Sequence, residues 1–302
     1  MAISFSKINL GLEIPYRRPD GLHEIRSIFI RTSFGDDIQF IKTPLQNPNQ
    51  PEMYLISDNQ LRPPRFSLFE AVSERGDLSK NILWKAYERI FPLLKEKFGL
   101  KVILTKRIPP EGGIGGGSSN AGSLIRYLLP YTSLSNSEGI EFAKTIGADV
   151  PFFLQDRNCL VFGIGEILEP IDVAKGLGVL AIPGISLSTK AMYADLQKSL
   201  QNTLPSKIWK TLTEDVIGNL QVGEWKGLRG LLENEFEKVA FSIHPELQAL
   251  KLGFLQNGAE YASLSGSGSC FYGLVQSKES QDVLLKSMIQ QFPAVDFLSF
   301  SI

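Results

Sequence analysis

The chain has 302 residues, of which 43% are hydrophobic and 21% are charged, as in ordinary folded proteins. This composition excludes intrinsic disorder, collagen-like repeats and a small scaffold held together by disulfides. The 31 basic and 32 acidic side chains leave a net charge of −1, so the charge balance gives no sign of a surface for nucleic acid or for an anionic membrane.

The first residues and the cysteines narrow the class of protein further. Lys7 lies near the start and no apolar run follows it, which is not the pattern of a secretory signal. The most apolar later stretch, residues 177–185, is broken by glycine and proline and is too short to cross a bilayer. Cys159 and Cys270 form no CxxC pair and have no histidine nearby, which argues against a zinc site. We therefore expect a cytoplasmic protein that does not bind membranes.

Strand patterns dominate the first part of the chain. Apolar residues alternate over residues 8–14 and predict a half-buried strand. A turn-prone stretch, residues 17–21, leads to a second predicted strand over residues 23–32. Residues 35–37, with the sequence GDD, predict a turn before a strand at 38–41.

The pattern changes to a helical period near Asn81. Before it, five prolines between Pro44 and Pro64 predict an irregular segment around a short strand near Tyr54. From Asn81 the apolar residues are three or four positions apart, which predicts an amphipathic helix that ends near Gly99. A β-branched run at residues 101–105 predicts the next strand.

Helices and strands mix in the rest of the chain. The predicted helices cover residues 121–129, 137–146, 190–200, 207–217, 228–241 and 246–257, with one more before the C-terminal strand. The predicted strands are at 179–182, as a pair within 262–275, and at 295–300. This mixture indicates an α+β or α/β protein. The length allows two domains, with a boundary near 160–185.

The strongest local signal is the glycine-rich stretch PPEGGIGGGSSNAGSLI at residues 109–125. Its five glycines between residues 112 and 117 have no β-carbon, so a ligand can come close to the backbone. Ser118, Ser119 and Asn120 follow, and all three are good helix N-caps. Free amides and the positive end of a helix dipole favour a phosphate group. The stretch predicts a phosphate-binding loop, and a turn-forming connector is the alternative.

The two common phosphate-loop motifs do not fit this stretch. A P-loop has a lysine and then serine or threonine after its glycines, and that pair is absent here. A dinucleotide fingerprint beginning at Gly113 and Gly115 has Ser118 in place of its third glycine, and no opening βα unit precedes it. The stretch therefore predicts a phosphate site of another type.

Three further motifs carry candidate residues, and each has a purely structural alternative. Asp149 in GADVPFFL is a candidate general base or the cap of a following helix. Lys7 shares a strand face with Asn9, and both Lys7 and His23 have the alternative of being ordinary surface residues. The glycines in SLSGSGSCFYGLV, residues 263–275, form either part of a site or a simple hairpin turn.

In this order and at these separations, the motifs resemble those of the galactokinase, homoserine kinase, mevalonate kinase and phosphomevalonate kinase (GHMP) superfamily. Within it they are similar to the family that phosphorylates 4-diphosphocytidyl-2-C-methyl-D-erythritol in the non-mevalonate isoprenoid pathway. The resemblance spans nearly the whole chain. The stretches that carry it are KINLGLEI (7–14), RPDGLHEIRS (18–27), GGIGGGSSNA (112–121), IGADVPFFL (146–154), GIGEILEPI (163–171), PGISLST (183–189) and LSGSGSC (264–270).

This resemblance implies an α+β fold of two domains. Residues 1–165 would form the GHMP kinase N-terminal domain, similar to ribosomal protein S5 domain 2, with the ATP loop and the catalytic pair. Residues 166–302 would form the ferredoxin-like C-terminal domain. The resemblance also implies ATP and Mg²⁺ as cofactors and small molecules as partners, without nucleic acid or membrane, while the oligomeric state and the metal ligands stay unknown.

The resemblance further implies a reaction, the ATP-dependent phosphorylation of the 2-hydroxyl of the cytidyl alcohol, and a role for particular residues. Asp149 would act as general base, and Lys7 would lie beside it and keep it ionised. Asn9, His23 and Thr189 would line the substrate pocket. The ATP-binding residues that it implies are Pro109, Pro110, Glu111, Gly112, Gly113, Ile114, Gly115, Gly116, Gly117, Ser118 and Ser119.

One departure from the family pattern bears on specificity. Leu22 stands before His23, where the family commonly has an aromatic residue that stacks on cytosine. Recognition of cytosine is therefore left to another aromatic residue or to hydrogen bonds. The alternatives to this function are a sister kinase acting on homoserine or a mevalonate derivative, a non-catalytic binding protein on the same fold, and a dinucleotide oxidoreductase.

Overall fold

A computed structural model describes residues 1–60, 78–199 and 212–302 of the chain. These residues form two compact units. The first unit comprises Met1–Ser6, Phe34–Pro110 and Gly115–Asp156, and the second comprises Lys7–Ser33, Glu111–Ile114 and Arg157–Ile302. The segments of the units alternate along the chain, so the division at residues 165 and 166 stays a prediction.

Two long strands contribute to both units. They are β1 (Ala2–Arg17) and β2 (His23–Thr43), which pair with each other. The predicted strands at residues 8–14 and 23–32 are thereby confirmed. The predicted turn at residues 35–37 is wrong, because β2 runs through it. A Cβ on Gly35 would lie 2.6 Å from the Ser4 carbonyl oxygen, so this glycine permits a close approach of two strands.

The first unit has helices packed on a small sheet. Its strands β3 (Met53–Asn59) and β4 (Gly99–Lys106) are parallel, and β4 pairs antiparallel with the second half of β2, with Asp37 opposite Thr105. Its helices are α1 (Ile82–Ile90), α2 (Gly116–Leu128) and α3 (Asn136–Ile146). The apolar faces of these elements meet in one core, which includes Tyr87, Leu100 and Leu124.

Helix α1 begins as its sequence predicts but ends earlier. The Asn81 side chain accepts a hydrogen bond from the Leu83 amide (2.9 Å) and caps the helix. The helix ends at Ile90, not near Gly99, and a 3-10 turn at Phe91–Leu93 follows. Pro92 explains the difference, since proline has no amide hydrogen to continue the α-helical hydrogen bonds.

The second unit combines the first half of β2 with a four-stranded antiparallel sheet. Ser27 of β2 lies opposite Val161 of β5 (Cys159–Phe162), which pairs with β6 (Ile167–Pro170). The strands of the four-stranded sheet are β7 (Leu177–Ile182), β8 (Tyr261–Leu264), β9 (Phe271–Val275) and β10 (Asp296–Ser301). Their order in the sheet is β10-β7-β9-β8. The helices of the unit are α4 (Thr189–Ser199), α5 (Glu214–Val222), α6 (Phe236–Ile243), α7 (Pro245–Gln256) and α8 (Lys278–Gln291).

Two helix predictions in this unit need correction. The helix predicted at 207–217 lies partly outside the described residues, and the helix there is Glu214–Val222. The helix predicted at 228–241 begins only at Phe236. The segment before it pairs with β1: the Leu12 amide donates to the Glu233 carbonyl and the Glu235 amide to the Leu12 carbonyl, both at 2.9 Å. The mixture of helices and sheets confirms the predicted α+β class.

Candidate active site

The glycine-rich loop joins β4 to α2. Its central residues Glu111–Ile114 belong to the second unit, whereas Pro109, Pro110 and Gly115–Ser119 belong to the first. The backbone enters the left-handed region three times, at Glu111 (φ +53°), Gly113 (φ +75°) and Gly115 (φ +75°). These reversals produce a tightly folded loop that ends at the N-terminus of a helix, as the phosphate-loop prediction requires.

The N-terminus of α2 is not capped by a side chain. Gly115 stands at the N-cap position and no side chain accepts a hydrogen bond from the first turn. Orphan amides at such a turn are satisfied by water or by an anion. Gly117 is exposed and Ser118 is half-buried at this turn. The arrangement therefore leaves amide donors and one hydroxyl for a phosphate group.

Ser119 is used differently from its neighbour. Its side chain is buried, and its hydroxyl oxygen lies 2.6 Å from the Ser4 hydroxyl and 2.6 Å from the Phe5 carbonyl oxygen. The Ser119 amide donates to the Gly115 carbonyl (2.8 Å). Ser119 therefore ties the loop to the start of the chain, and its hydroxyl is engaged within the protein.

A buried carboxylate joins the two ends of the loop, and sequence reasoning missed it. Asp36 is fully buried, and its Oδ1 accepts hydrogen bonds from the amides of Arg107 and Ile108, both at 2.7 Å. Its Oδ2 accepts from Lys106 Nζ (2.5 Å) and from Asn120 Nδ2 (3.0 Å). Burial lowers the pKa of Lys106, against the pull of the Asp36 charge. Asp36 lies in the GDD stretch that the sequence predicts as a turn, where an acidic residue is ordinary, so its role could not be read from the sequence.

Gly116 shows how closely the loop is packed. A Cβ at this position would lie 2.6 Å from Cγ2 of Ile108 and 3.0 Å from Nζ of Lys106. The first of these distances is too short for any real Cβ contact, so a larger residue would displace the loop. Glycine is thus required at position 116, because the backbone there packs against Lys106 and Ile108 at the end of β4.

Lys7 lies in the second unit and is buried, which excludes its alternative reading as a surface lysine. Only 3% of it is exposed. Its Nζ lies 2.5 Å from Oδ1 of Asn9 and 4.4 Å from the centroid of the Phe29 ring. Its amide donates to the carbonyl of Ile114 in the glycine-rich loop (3.1 Å). The structure thus brings together Lys7, Asn9 and the centre of the loop.

The turn between β8 and β9 contacts the same part of the loop. The Ser265 hydroxyl lies 3.1 Å from the Gly113 carbonyl oxygen and 3.4 Å from Oδ1 of Asn9. A Cβ on Gly113 would lie only 1.9 Å from the Ser265 carbonyl oxygen. This turn is therefore more than a hairpin connection, because it supports the loop. Thr189 joins it through a 2.8 Å contact between its hydroxyl and that of Ser267.

His23 has an aromatic partner that the sequence did not reveal. Its ring stacks on Tyr193 with centroids 4.6 Å apart and planes 20° apart, and Tyr193 packs edge-on against Phe236. Burial, and then the positive charge of Arg17, lower the pKa of His23. Leu22 beside it is half exposed. The available signal for Tyr193 was its place one helical turn after Thr189.

Asp149 lies in the first unit and is half-buried. It precedes the 3-10 turn Pro151–Leu154, whose N-cap position is Val150 and which has no side-chain cap. Asp149 is thus not the N-cap residue of this turn. Lys7 and Asp149 belong to different units, and their pairing stays a prediction.

The chain is similar to known proteins of one kinase family. The family model described as "GHMP kinases N terminal domain" matches residues 81–157, and the model described as "GHMP kinases C terminal" matches residues 216–294. A relative from Leptospira biflexa, named 4-diphosphocytidyl-2-C-methyl-D-erythritol kinase, is 54% identical over 99% of this chain and 98% of its own length. The chain belongs to the 4-diphosphocytidyl-2-C-methyl-D-erythritol kinase family. A second relative of that name, from Leptospira interrogans, is 45% identical over 99% of both chains.

Solved structures agree with this family. A crystal structure of a 4-(cytidine 5'-diphospho)-2C-methyl-D-erythritol kinase matches with a TM-score of 0.74 and 25% identity, over 99% of this chain and 98% of the other. A mevalonate kinase from L. major matches with a TM-score of 0.67 and 18% identity, over 100% and 97% of the two chains, which shows a shared fold alone. The predicted kinase family and GHMP fold are confirmed.

The described residues include neither a carboxylate-rich metal site nor a membrane-spanning helix. Within residues 1–60, 78–199 and 212–302, no group of three or more histidine, cysteine, aspartate or glutamate side chains could hold a metal ion. In the same part of the chain, no helix has the length and apolar character needed to span a bilayer.

Proposed function

We propose that this chain transfers the γ-phosphoryl group of ATP to the 2-hydroxyl of 4-diphosphocytidyl-2-C-methyl-D-erythritol, in the cytoplasm. The observation that carries the proposal is the 54% identity, over almost the full length, to a relative named for this kinase activity. The glycine-rich loop and the uncapped N-terminus of α2 provide the phosphate site that such a kinase needs. Cys159 and Cys270 are buried thiols, which suits a reducing compartment.

The loop and helix α2 fit the phosphates of ATP. The first-turn amides and the positive end of the α2 dipole favour the negative charge of the phosphates. Mg²⁺ commonly keeps several waters and binds through one or two protein ligands plus phosphate oxygens, which agrees with the lack of a carboxylate cluster among the described residues. Ser118 is the hydroxyl that we assign to this ion. When bound, Mg²⁺ would neutralise charge on the transferring phosphate.

The chemical step needs a proton acceptor and positive charge. In our proposal Asp149 takes the proton of the substrate 2-hydroxyl, whose oxygen forms the new O–P bond while the bond to the β-phosphate breaks and ADP leaves. Lys7 supplies positive charge toward the transferring group. Its burial beside Asn9 and Phe29 supports this role, because a charged lysine is seldom buried without a function or a partner.

The cytidyl end of the substrate needs a flat surface and hydrogen-bonding groups. The His23–Tyr193 stack supplies aromatic surface in the second unit, which also contains Asn9 and Thr189. Tyr193 thus provides the aromatic ring that Leu22 does not. We propose that this stack recognises the cytosine ring, since planar aromatic rings pack favourably in offset stacks.

A sister activity is the second candidate, because mevalonate and homoserine kinases share the fold. Purified protein should be assayed for ADP release with ATP and, in turn, the cytidyl alcohol, mevalonate and homoserine. We expect turnover with the cytidyl alcohol alone. Turnover with mevalonate or homoserine and none with the cytidyl alcohol would refute the proposal. No turnover with any alcohol, in a protein that still binds ATP, would favour a binding protein on the same fold.

A further inference from the structure

Ser27 is a fully buried residue of β2 that lies against the strand carrying Lys7 and Asn9. Its hydroxyl oxygen lies 2.8 Å from Nδ2 of Asn9 and 2.6 Å from the carbonyl oxygen of Gly11. All four residues belong to the second unit. The Ser27 hydroxyl therefore contacts one end of the Asn9 side-chain amide, and Lys7 contacts the other end.

The direction of these hydrogen bonds follows from the number of protons. A carbonyl oxygen can only accept, so the single hydroxyl proton of Ser27 goes to Gly11. The oxygen of Ser27 must then accept from Asn9, and only the NH₂ group of an asparagine side chain can donate. This assigns the amide nitrogen of Asn9 to Ser27 and leaves Oδ1 for Lys7, at 2.5 Å.

The opposite orientation of the Asn9 amide would be unfavourable. A rotation by 180° would bring its NH₂ group against the Lys7 ammonium, two donors in contact where little water can intervene. The rest of Asn9 is held as well, because the Tyr272 hydroxyl donates to the Asn9 carbonyl oxygen at 2.5 Å. Ser27 thus binds the NH₂ end of the amide and helps to keep the oxygen end toward Lys7.

We propose that Ser27 is a positioning residue for phosphoryl transfer. It holds the Asn9 amide in one orientation and through it the Lys7 ammonium, which has to be preorganised where charge develops. This inference rests on the proposed function in one respect, that Lys7 assists the transfer. Ser27 itself touches no reacting group in this role.

The first test replaces Ser27 by alanine and measures steady-state kinetics. We expect kcat to fall about tenfold, the equivalent of one buried hydrogen bond, with KM for ATP changed less than twofold. The matched control is Ser263→Ala, which removes another buried serine hydroxyl of the same unit, one bound to Glu237 (3.2 Å). This control should keep the wild-type kcat. A Ser27→Ala enzyme with wild-type kcat would overturn the inference.

A double-mutant cycle separates positioning from a merely structural role. If Ser27 acts through Asn9, Ser27→Ala should have almost no further effect on kcat in an Asn9→Ala background. If the two losses of kcat multiply, Ser27 does not act through Asn9 and the inference is wrong. An Asn9→Ala enzyme with full activity would refute the role of Asn9 and, with it, the inference.

A spectroscopic readout keeps the test independent of the substrate. In ¹⁵N-labelled wild-type protein the side-chain NH₂ group of Asn9 should exchange slowly with water, because its donor is buried and bonded. Ser27→Ala should abolish this protection and Ser263→Ala should preserve it. If wild type shows the protection but no turnover with the cytidyl alcohol, the proposed function fails while the amide orientation stands. If Ser27→Ala keeps the protection, the positioning inference fails alone.

Discussion

The carboxylate of Asp36 lies 2.5 Å from the ammonium group of Lys106, and the pair is buried where strand β4 enters the glycine-rich loop. The same carboxylate accepts from two consecutive amides and from Asn120 in the first turns of α2. One acidic side chain therefore holds both ends of the loop that we assign to ATP.

We expect Asp36→Asn to destabilise the protein by about 3–5 kcal/mol, because it leaves the Lys106 charge buried without its partner. The double variant Asp36→Asn/Lys106→Met should recover part of this loss, since the unpaired charge is gone. Both variants should raise KM for ATP more than KM for the alcohol. Urea unfolding and steady-state kinetics measure the two effects. A double variant less stable than Asp36→Asn would contradict the role of the charge pair.

Asp149→Asn tests the general base. The expected loss of kcat is about 100- to 10,000-fold, the range typical of general acid–base catalysis. Thermal stability should stay close to wild type, because asparagine keeps the size of the side chain and caps a helix about as well as aspartate. Asp172→Asn is the control, since Asp172 forms an exposed ion pair with Arg157 and such pairs contribute little. Retained activity in Asp149→Asn would exclude the assignment, and a loss of stability without a loss of kcat would indicate a structural role.

Lys7→Met tests the buried cation. Methionine fills much of the same volume without the charge, so the main cost to stability is the lost hydrogen bond to Asn9, about 1–3 kcal/mol. We therefore expect a modest loss of stability but a kcat lowered about 100- to 1,000-fold, as for loss of one charge-stabilising donor. Lys286→Met, at an exposed position of α8, should be active. Near-normal kcat in Lys7→Met would remove Lys7 from the mechanism.

Tyr193→Ala tests the aromatic stack. Loss of stacking, worth about 1 kcal/mol beyond burial, should raise KM for the cytidyl alcohol several-fold and leave KM for ATP unchanged. Tyr193→Phe keeps the ring and is the matched control, which should retain the KM for the alcohol. The same KM in all three enzymes would show that Tyr193 does not recognise cytosine.

The titration of His23 gives a prediction for pH. Burial lowers its pKa below 6.5 in the folded protein, so the unfolded chain binds more protons between the folded pKa and 6.5. Stability should therefore rise with pH through this window and be lost as the pH falls through it. The imidazole resonances of His23, measured by NMR, should titrate below pH 6.5 in wild type. They should titrate closer to pH 6.5 in Tyr193→Ala, where the His23 ring is less buried. An unshifted wild-type pKa would contradict the burial of His23.

The local patterns of the sequence were sufficient for most elements of the fold. Alternation predicted β1 and the start of β2, and the helical period with Asn81 predicted where α1 begins. They failed at residues 35–37, where β2 continues, and at 228–235, where residues 233–235 pair with β1. In both places the partner strand is far away in the chain, so a short window held no information about it.

The sequence by itself determined that a glycine-rich loop leads into a helix and that Lys7, Asn9, His23 and Asp149 belong to motifs of one kinase family. These features are local, since they depend on backbone freedom, side-chain chemistry and short spacings. Only the tertiary structure decided that Lys7 is buried, that Asp36 holds the loop, that Tyr193 stacks on His23 and that Ser27 orients Asn9. The physical reason is that burial and hydrogen-bond partners are set by contacts between segments far apart in the chain, and these contacts exist only after folding.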